Sequence, residues 1–204
     1  SFRRKVNAKT AFNKLKKFEI KQSSVKQTTK VFFIGRAKGR LELIQDVAKF
    51  LDKNKIDYEF LILKEKNNNS EDIGNIHFID YLKYDLVIRK IEEATCLLSL
   101  VSSNANMMSA SFTESVLYNK KLLTNCKFLS ELPCYDERYM QSFESVEDID
   151  INWLCSSEKV QYNYEGQFSA KYFLDNIEKD YLSGFLKKCA ILNQKNLEIG
   201  KKEE

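Results

Sequence analysis

Short apolar runs alternate with amphipathic stretches along most of this chain, beginning at Lys30. The short runs are typical of buried strands, and the amphipathic stretches between them space their apolar residues as helices do. Strands are predicted at residues 31–35, 58–63, 76–78, 96–101 and 122–124, and helices near 41–53, 85–94, 111–119 and 170–188. This order predicts an α/β fold built of βαβ units, with helices on both faces of a mostly parallel sheet of about five or six strands.

The N-terminal residues follow a different pattern. An apolar stripe of Ala8, Phe12, Leu15 and Phe18 recurs among lysines, which predicts a basic amphipathic helix over residues 4–19. The stripe needs an apolar partner, either the body of the protein, which is the commoner case, or a membrane surface. A polar linker follows, so we divide the chain into an arm and linker at 1–29, a domain at 30–190 and a charged tail at 191–204.

Length and composition place limits on the class of protein. With 204 residues and 43% apolar content, the chain can bury one core, perhaps with an appended arm. Its five cysteines lack C-x-x-C spacing and it has one histidine, so neither a disulfide framework nor a metal site is predicted. No apolar run is long enough to span a bilayer and no secretory signal begins the chain, so we expect a cytoplasmic protein. The first residue is Ser1, which suggests a trimmed chain or the C-terminal part of a longer protein.

Charge is distributed unevenly along the chain. Residues 1–30 contain ten Lys and Arg against Glu19 alone, while the whole chain carries +4, which leaves −5 on the rest. A basic arm suits peripheral contact with an anionic membrane, where each Lys or Arg contributes about 1 kcal/mol, or contact with nucleic acid. The body lacks basic residues interleaved with aromatic ones, so we predict no nucleic-acid binding there.

The segment GRAKGR follows the first predicted strand. Gly35 ends that strand, and Arg36, Lys38 and Arg40 crowd the turn before the next helix. The segment matches neither a Walker loop nor a G-x-G-x-x-G fingerprint. Three cations beside a helix N-terminus suit a diphosphate, although a solvated turn explains them equally well.

A second candidate segment is SASFTESVLYNKK. Glu114 lies near the start of its predicted helix, where a carboxylate is favoured by the helix dipole or can accept hydrogen bonds from ribose hydroxyls. Ser109 and Ser111 compete for the N-cap position. Lys120 and Lys121 are predicted to cap the C-terminus of this same helix.

His77 and the late aromatic residues favour structural roles. His77 lies inside a predicted strand, and a general base needs a positioned acid partner that the sequence does not reveal. The aromatic residues of the last third are predicted to lie in the core or on a helix face: Tyr162, Tyr164, Phe168, Tyr172 and Phe173.

Four segments together resemble a known family. They are FFIGRAKGRLELI, IDYLKYDLVIRKIEEATCLLSL, FTESVLYNKKLLTN and YNYEGQFSAKYFLDNI, within residues 31–178. In order and separation they resemble the C-terminal, donor-binding half of GT-B glycosyltransferases of bacterial capsule and lipopolysaccharide synthesis. The resemblance implies a Rossmann-like domain that binds a nucleotide-diphosphate sugar without a metal ion or other cofactor. It also implies that the acceptor and any catalytic base belong to an N-terminal domain or partner protein.

The resemblance also suggests roles for individual residues. Gly35, Arg36, Lys38 and Arg40 match the basic phosphate-contacting turn, Ser109 and Ser111 fall at the phosphate end of the predicted helix at 111–119, and Glu114 matches the ribose-binding glutamate. Phe78, Ile79 and Tyr81 match the stretch near the nucleotide base.

One departure from the family pattern bears on activity. Similar proteins have a glycine and an arginine just before the glutamate, where this chain has Met107 and Ser111. Serine supplies a neutral hydrogen bond in place of a charge-assisted pair, so the phosphate cradle is weakened. Two functions therefore stay open: donor binding for glycosyl transfer, and a non-catalytic, degenerate Rossmann domain that acts as an assembly or regulatory subunit.

Overall fold

The computed structural model describes residues 28–65, 71–101, 109–178 and 182. In this part of the chain six strands form one sheet in which every neighbouring pair is parallel. The strands are β1 (Lys30–Gly35), β2 (Asp57–Leu63), β3 (Ile76–Ile79), β4 (Cys96–Ser99), β5 (Lys121–Thr124) and β6 (Met140–Ser142). The helices are α1 (Leu41–Lys53), α2 (Tyr84–Glu93), α3 (Ala110–Leu117), the short α4 (Ile151–Cys155) and α5, which begins at residue 170 and is described to 178.

Both faces of the sheet are covered. Along β1, Val31 and Phe33 face one hydrophobic cluster and Phe32 faces the other, because successive side chains of a strand point in opposite directions. Helices α1 and α4 contribute to the first cluster, and α2 and α3 to the second. The molecule therefore has three layers, and the central strands are mostly apolar in their middle because both faces of the sheet are covered.

The lateral strand order is β3-β2-β1-β4-β5-β6. This is the order of the Rossmann fold, in which the chain first builds outward from β1 in one direction and then returns to build in the other. The predicted Rossmann-like α/β class is confirmed.

Some predicted bounds differ from the observed ones. Strand β4 ends at Ser99 rather than at 101, because the Asn125 side chain hydrogen-bonds to both backbone groups of Val101. Its Oδ1 accepts from the Val101 amide at 2.7 Å, and its Nδ2 donates to the Val101 carbonyl oxygen at 3.0 Å. Strand β6 and helix α4 lie in a segment whose sequence pattern is irregular. Strand β6 has three residues, of which only Met140 is buried, and so short an edge strand leaves no periodic signal.

The side chains of the two lysines after α3 cap helices, but not α3, which is the helix that was predicted. Lys120 Nζ donates to the carbonyl oxygens of Glu92 at 2.7 Å and Ala94 at 2.6 Å, at the end of α2. Lys121 Nζ donates to carbonyl oxygens at the end of α4, including that of Ser156 at 2.7 Å. The prediction that these side chains cap α3 was wrong, because the chain turns into β5 and carries both side chains to neighbouring helices. At the end of α3 it is the backbone N–H of Lys120 that donates, to the carbonyl oxygen of Ser115 at 2.8 Å.

Residues beyond α4 run along the α2–α3 face. Tyr162 is buried, and Phe168 packs edge-on against Phe112 of α3 with ring centroids 6.0 Å apart. On α5, in contrast, Tyr172 and Phe173 are exposed. Several predicted features lie outside the described residues. They are the basic helix at 4–19, Met107, the part of the last predicted helix beyond residue 178, except residue 182, and the tail at 191–204. In the part of the chain that the structure describes, no helix has the length and apolar content needed to cross a membrane.

Candidate functional site

The site predicted from sequence lies at the carboxyl edge of the parallel sheet. The strand order reverses between β1 and β4, so the segments that follow these two strands diverge onto opposite faces. In open α/β sheets this divergence creates the crevice in which ligands bind. The turn after β1 and the start of α3 after β4 both lie at this edge.

The turn between β1 and α1 has an unusual backbone. Lys38 and Gly39 both have positive φ, at 45° and 77°. A lysine in this conformation is uncommon, and here its backbone N–H donates to Oε1 of Glu65, just after β2, at 3.2 Å. The side chains of Arg36 and Lys38 are exposed, with no hydrogen bond or ion pair to another described residue. Both cations are therefore accessible at the predicted phosphate turn.

Arg40 differs from the two other cations of the turn. Its guanidinium donates to the carbonyl oxygens of Ala37 at 3.0 Å and Arg36 at 2.9 Å, and to that of Leu100 just beyond β4. Partial burial lowers the pKa of Arg40 from its ordinary value. Arg40 thus ties the turn to the end of β4 across the point where the strand order reverses.

Ser109, rather than Ser111, is the N-cap of α3. Its Oγ accepts a hydrogen bond from the amide of Phe112 at 3.1 Å and lies 2.6 Å from the Oγ of Ser99, the last residue of β4. Ser111 lies in the first turn and is half-buried, and its side chain makes no hydrogen bond to another described residue. The start of α3 is therefore fixed to the end of β4 through a pair of hydroxyl groups.

Glu114 lies in the second turn of α3 and is only 8% exposed. The hydroxyl of Tyr84, the first residue of α2, donates to its Oε1 at 3.3 Å. Burial raises the pKa of Glu114, and the hydrogen bond from Tyr84 acts in the opposite direction. The contact places Glu114 beside the start of α2, which begins three residues after Tyr81 of the predicted base region.

The three residues of the predicted base region have different environments. Phe78 is buried in the cluster on the α1 side, so its ring is not free to contact a base. Ile79 packs partly against the cluster on the α2 side, and Tyr81 is 73% exposed. Of the three side chains, Tyr81 is the one available for stacking.

A cleft of about 460 Å³ opens beside the same edge, on the α1 side. Its lining includes Lys38 and Arg40 from the turn, Glu42 and Asp46 from α1, and Asn125 after β5. Cations and carboxylates both line the cleft, so its surface carries charges of both signs. Within the described ranges, no group of three or more His, Cys, Asp or Glu side chains is placed to hold a metal ion.

Sequence analysis missed several of the residues that shape the site. Tyr84, Glu65 and Asn125 act through partners distant in the chain, so no local pattern identifies them. His77 lies in β3, as predicted, and its Nδ1 is 2.9 Å from Oδ2 of Asp72. This acid partner was not apparent from the sequence, but both side chains are largely exposed and lie outside the crevice described above.

Comparisons with known proteins give little information on function. No family model matches the chain, and no curated protein matches it significantly. Among solved structures, homoserine dehydrogenase from S. aureus at pH 7.0 matches with a TM-score of 0.31 and 10% identity, over 48% of this chain and 26% of that one. The same enzyme at pH 6.5 matches with a TM-score of 0.30 and 10% identity, over 48% and 25%. The match thus spans about a quarter of the dehydrogenase, and likeness at this level carries no argument about activity.

Proposed function

We propose that this chain binds a nucleotide-diphosphate sugar at the carboxyl edge of its sheet and is the donor-binding half of a glycosyltransferase. The acceptor is a polysaccharide or a lipid-linked sugar, as the family resemblance implies. The observation that carries the proposal is the contact between Tyr84 and Glu114. It joins the predicted ribose-binding carboxylate to the first residue of α2, which lies three residues beyond Tyr81 and the stretch predicted to lie near the base.

The predicted ligand contacts are arranged in the order of the parts of a nucleotide: base, ribose and diphosphate. The base lies near Tyr81, whose exposed ring offers a stacking surface, and the ribose hydroxyls donate to Glu114. The diphosphate then lies toward the start of α3 at Ser109, where backbone N–H groups and the helix dipole favour an anion. Arg36 and Lys38 are exposed and supply positive charge at the same edge.

The proposed reaction needs little covalent chemistry from this half. An oxygen of the acceptor hydroxyl forms a bond to the anomeric carbon, the bond from that carbon to the diphosphate oxygen breaks, and its electron pair stays on the diphosphate. The hydroxyl proton passes to a base of the acceptor domain or partner. The contribution of this domain is to orient the donor and to neutralise the leaving diphosphate with Arg36, Lys38 and the N-terminus of α3.

A substitution at Glu114 tests the proposal. Glu114→Ala removes the acceptor of the ribose hydroxyl bonds, so we expect affinity for the preferred nucleoside diphosphate to fall by more than about tenfold, measured by calorimetric titration. Glu137→Ala is the matched control, because Glu137 is an exposed glutamate in the loop before β6. Equal affinity in wild type and Glu114→Ala would show that the ribose site has been assigned incorrectly.

A second candidate is a non-catalytic domain in the same surface-polysaccharide pathway. Two observations favour it: the guanidinium of Arg40 is engaged by backbone carbonyl groups, and Ser111 stands where the family has an arginine. This candidate predicts that nucleotide binding is weak or undetectable and that a stable partner protein copurifies. Transfer or hydrolysis of a sugar nucleotide by the full assembly, lost in Glu114→Ala, would contradict it.

A further inference from the structure

Glu114 has an unusual environment for a carboxylate. It is 8% exposed, and the hydroxyl of Tyr84 is the one hydrogen-bond donor to its carboxylate among the described residues. No ion pair joins it to a described lysine or arginine. A carboxylate can accept about four hydrogen bonds, so this group retains unused acceptor capacity next to the predicted nucleotide site.

Tyr84 is placed to act on this carboxylate without being part of the core. As the first residue of α2 it follows directly on the loop after β3, and 55% of its surface is exposed. Its hydroxyl nevertheless contacts Oε1 of Glu114, 30 residues further along the chain. The contact spans the groove between α2 and α3 and leaves Oε2 without a described donor.

We propose that Tyr84 is a positioning residue for the nucleotide site, whose hydroxyl holds Oε1 of Glu114 and thereby directs Oε2 toward the ribose diol of the donor. This inference rests on the proposed function and adds to it a residue outside the predicted site.

Protonation of Glu114 distinguishes this role from simple packing. Among the described residues, the titratable group that acts on the pKa of Glu114 is Tyr84 from α2, while Tyr118, just after α3, lies near enough for Glu114 to raise the pKa of Tyr118. Burial raises the pKa of Glu114, and the donated hydrogen bond opposes that rise because it stabilises the ionised form. The ionised form accepts hydrogen bonds from ribose hydroxyls more strongly than the neutral acid does, so nucleotide affinity falls as the pH drops through this pKa. Without the Tyr84 hydroxyl, the fall begins at a higher pH.

The test compares Tyr84→Phe with Tyr118→Phe. Tyr118→Phe is the matched control, because Tyr118 lies near Glu114 but its hydroxyl makes no hydrogen bond to it. The first measurement is an NMR titration of the Glu114 side-chain carboxyl carbon without nucleotide, which we expect to show a higher pKa in Tyr84→Phe and an unchanged one in Tyr118→Phe. An unchanged pKa in Tyr84→Phe would overturn the inference whatever the protein binds.

The second measurement is calorimetric titration with UDP and GDP and with their 2′-deoxy analogues, from pH 5 to pH 8.5. At pH 7.5 we expect Tyr84→Phe to weaken the ribonucleotide by about three- to tenfold, and to reduce the preference over the deoxy analogue. The phosphate also titrates, at a pKa of about 6, but equally for every variant, so ratios between variants cancel it.

The outcomes separate the two proposals. If wild type binds and Glu114→Ala does not, while Tyr84→Phe binds as wild type does with the same pH profile, the inference fails and the proposed function stands. If wild type binds none of these nucleotides and also fails to bind dTDP and CMP, the proposed function fails, and the positioning role fails with it even where the NMR titration shows the hydrogen bond.

Discussion

Arg40 and Arg36 belong to the same turn, yet the structure predicts opposite consequences for their substitution. The guanidinium of Arg40 donates to three carbonyl groups, including that of Leu100, 60 residues away. Each bond contributes about 1 kcal/mol, less where solvent competes, so Arg40→Met is expected to reduce the free energy of unfolding by about 2 kcal/mol. For a chain of this size, that loss lowers the Tm by about 4–8 °C.

Arg36→Met is the matched comparison, because the Arg36 side chain is exposed. We expect its Tm to equal that of wild type within about 1 °C, while affinity for the nucleoside diphosphate falls because a cation at the phosphates is lost. Thermal unfolding followed by circular dichroism measures the first quantity and calorimetric titration the second. An equal loss of Tm in both variants, or an unchanged Tm in Arg40→Met, would refute the division of the turn into a supporting arginine and a ligand-binding one.

Two further predictions concern the amino edge of the sheet. Lys121→Met leaves the carbonyl groups at the end of α4 without their shared donor, so we expect a loss of about 2 kcal/mol in urea unfolding; no loss would contradict the capping role. Although burial raises the pKa of Glu59, hydrogen bonds from Lys90 and Lys30 outweigh it and lower the pKa overall. Glu59→Gln is therefore expected to be less stable than wild type above about pH 4.5, and the difference should shrink as the pH falls through the lowered pKa. A gap that stays constant between pH 7 and pH 3 would contradict this account.

The central layers of the fold could be predicted because their signal is local. Strand β1 contains the continuous apolar run 31–34 and β2 the run 60–63, and α1 shows the spacing of a helix with one buried side. Strand β6 could not be predicted, since three residues at the edge of a sheet establish no period. The burial of Lys121 was also hidden, because the carbonyl groups that make it tolerable lie more than 30 residues away.

In the candidate site, too, the features with a local sequence signal could be predicted and those that depend on distant residues could not. Sequence reasoning selected Glu114 and the basic turn as candidates, because residue types and their distance from a strand end can be read directly from the sequence. It placed Arg40 with the ligand, which stays a prediction, but it did not reveal that the Arg40 guanidinium donates to the carbonyl groups of Leu100 and of two residues of its own turn. It also missed Tyr84, because a tyrosine at the start of one helix acquires meaning only when a second helix brings Glu114 beside it.

The most direct test of the central claim is a titration of the purified chain with UDP, GDP, dTDP, CMP and their common sugar conjugates, with heat of binding and the NMR signal of the Glu114 carboxyl recorded together. The account predicts saturable binding of one nucleotide class, shared by its sugar conjugates, and a shift of the Glu114 carboxyl signal on saturation. Absence of binding across the panel, or binding that leaves the Glu114 signal unmoved, would contradict a donor site between α2 and α3.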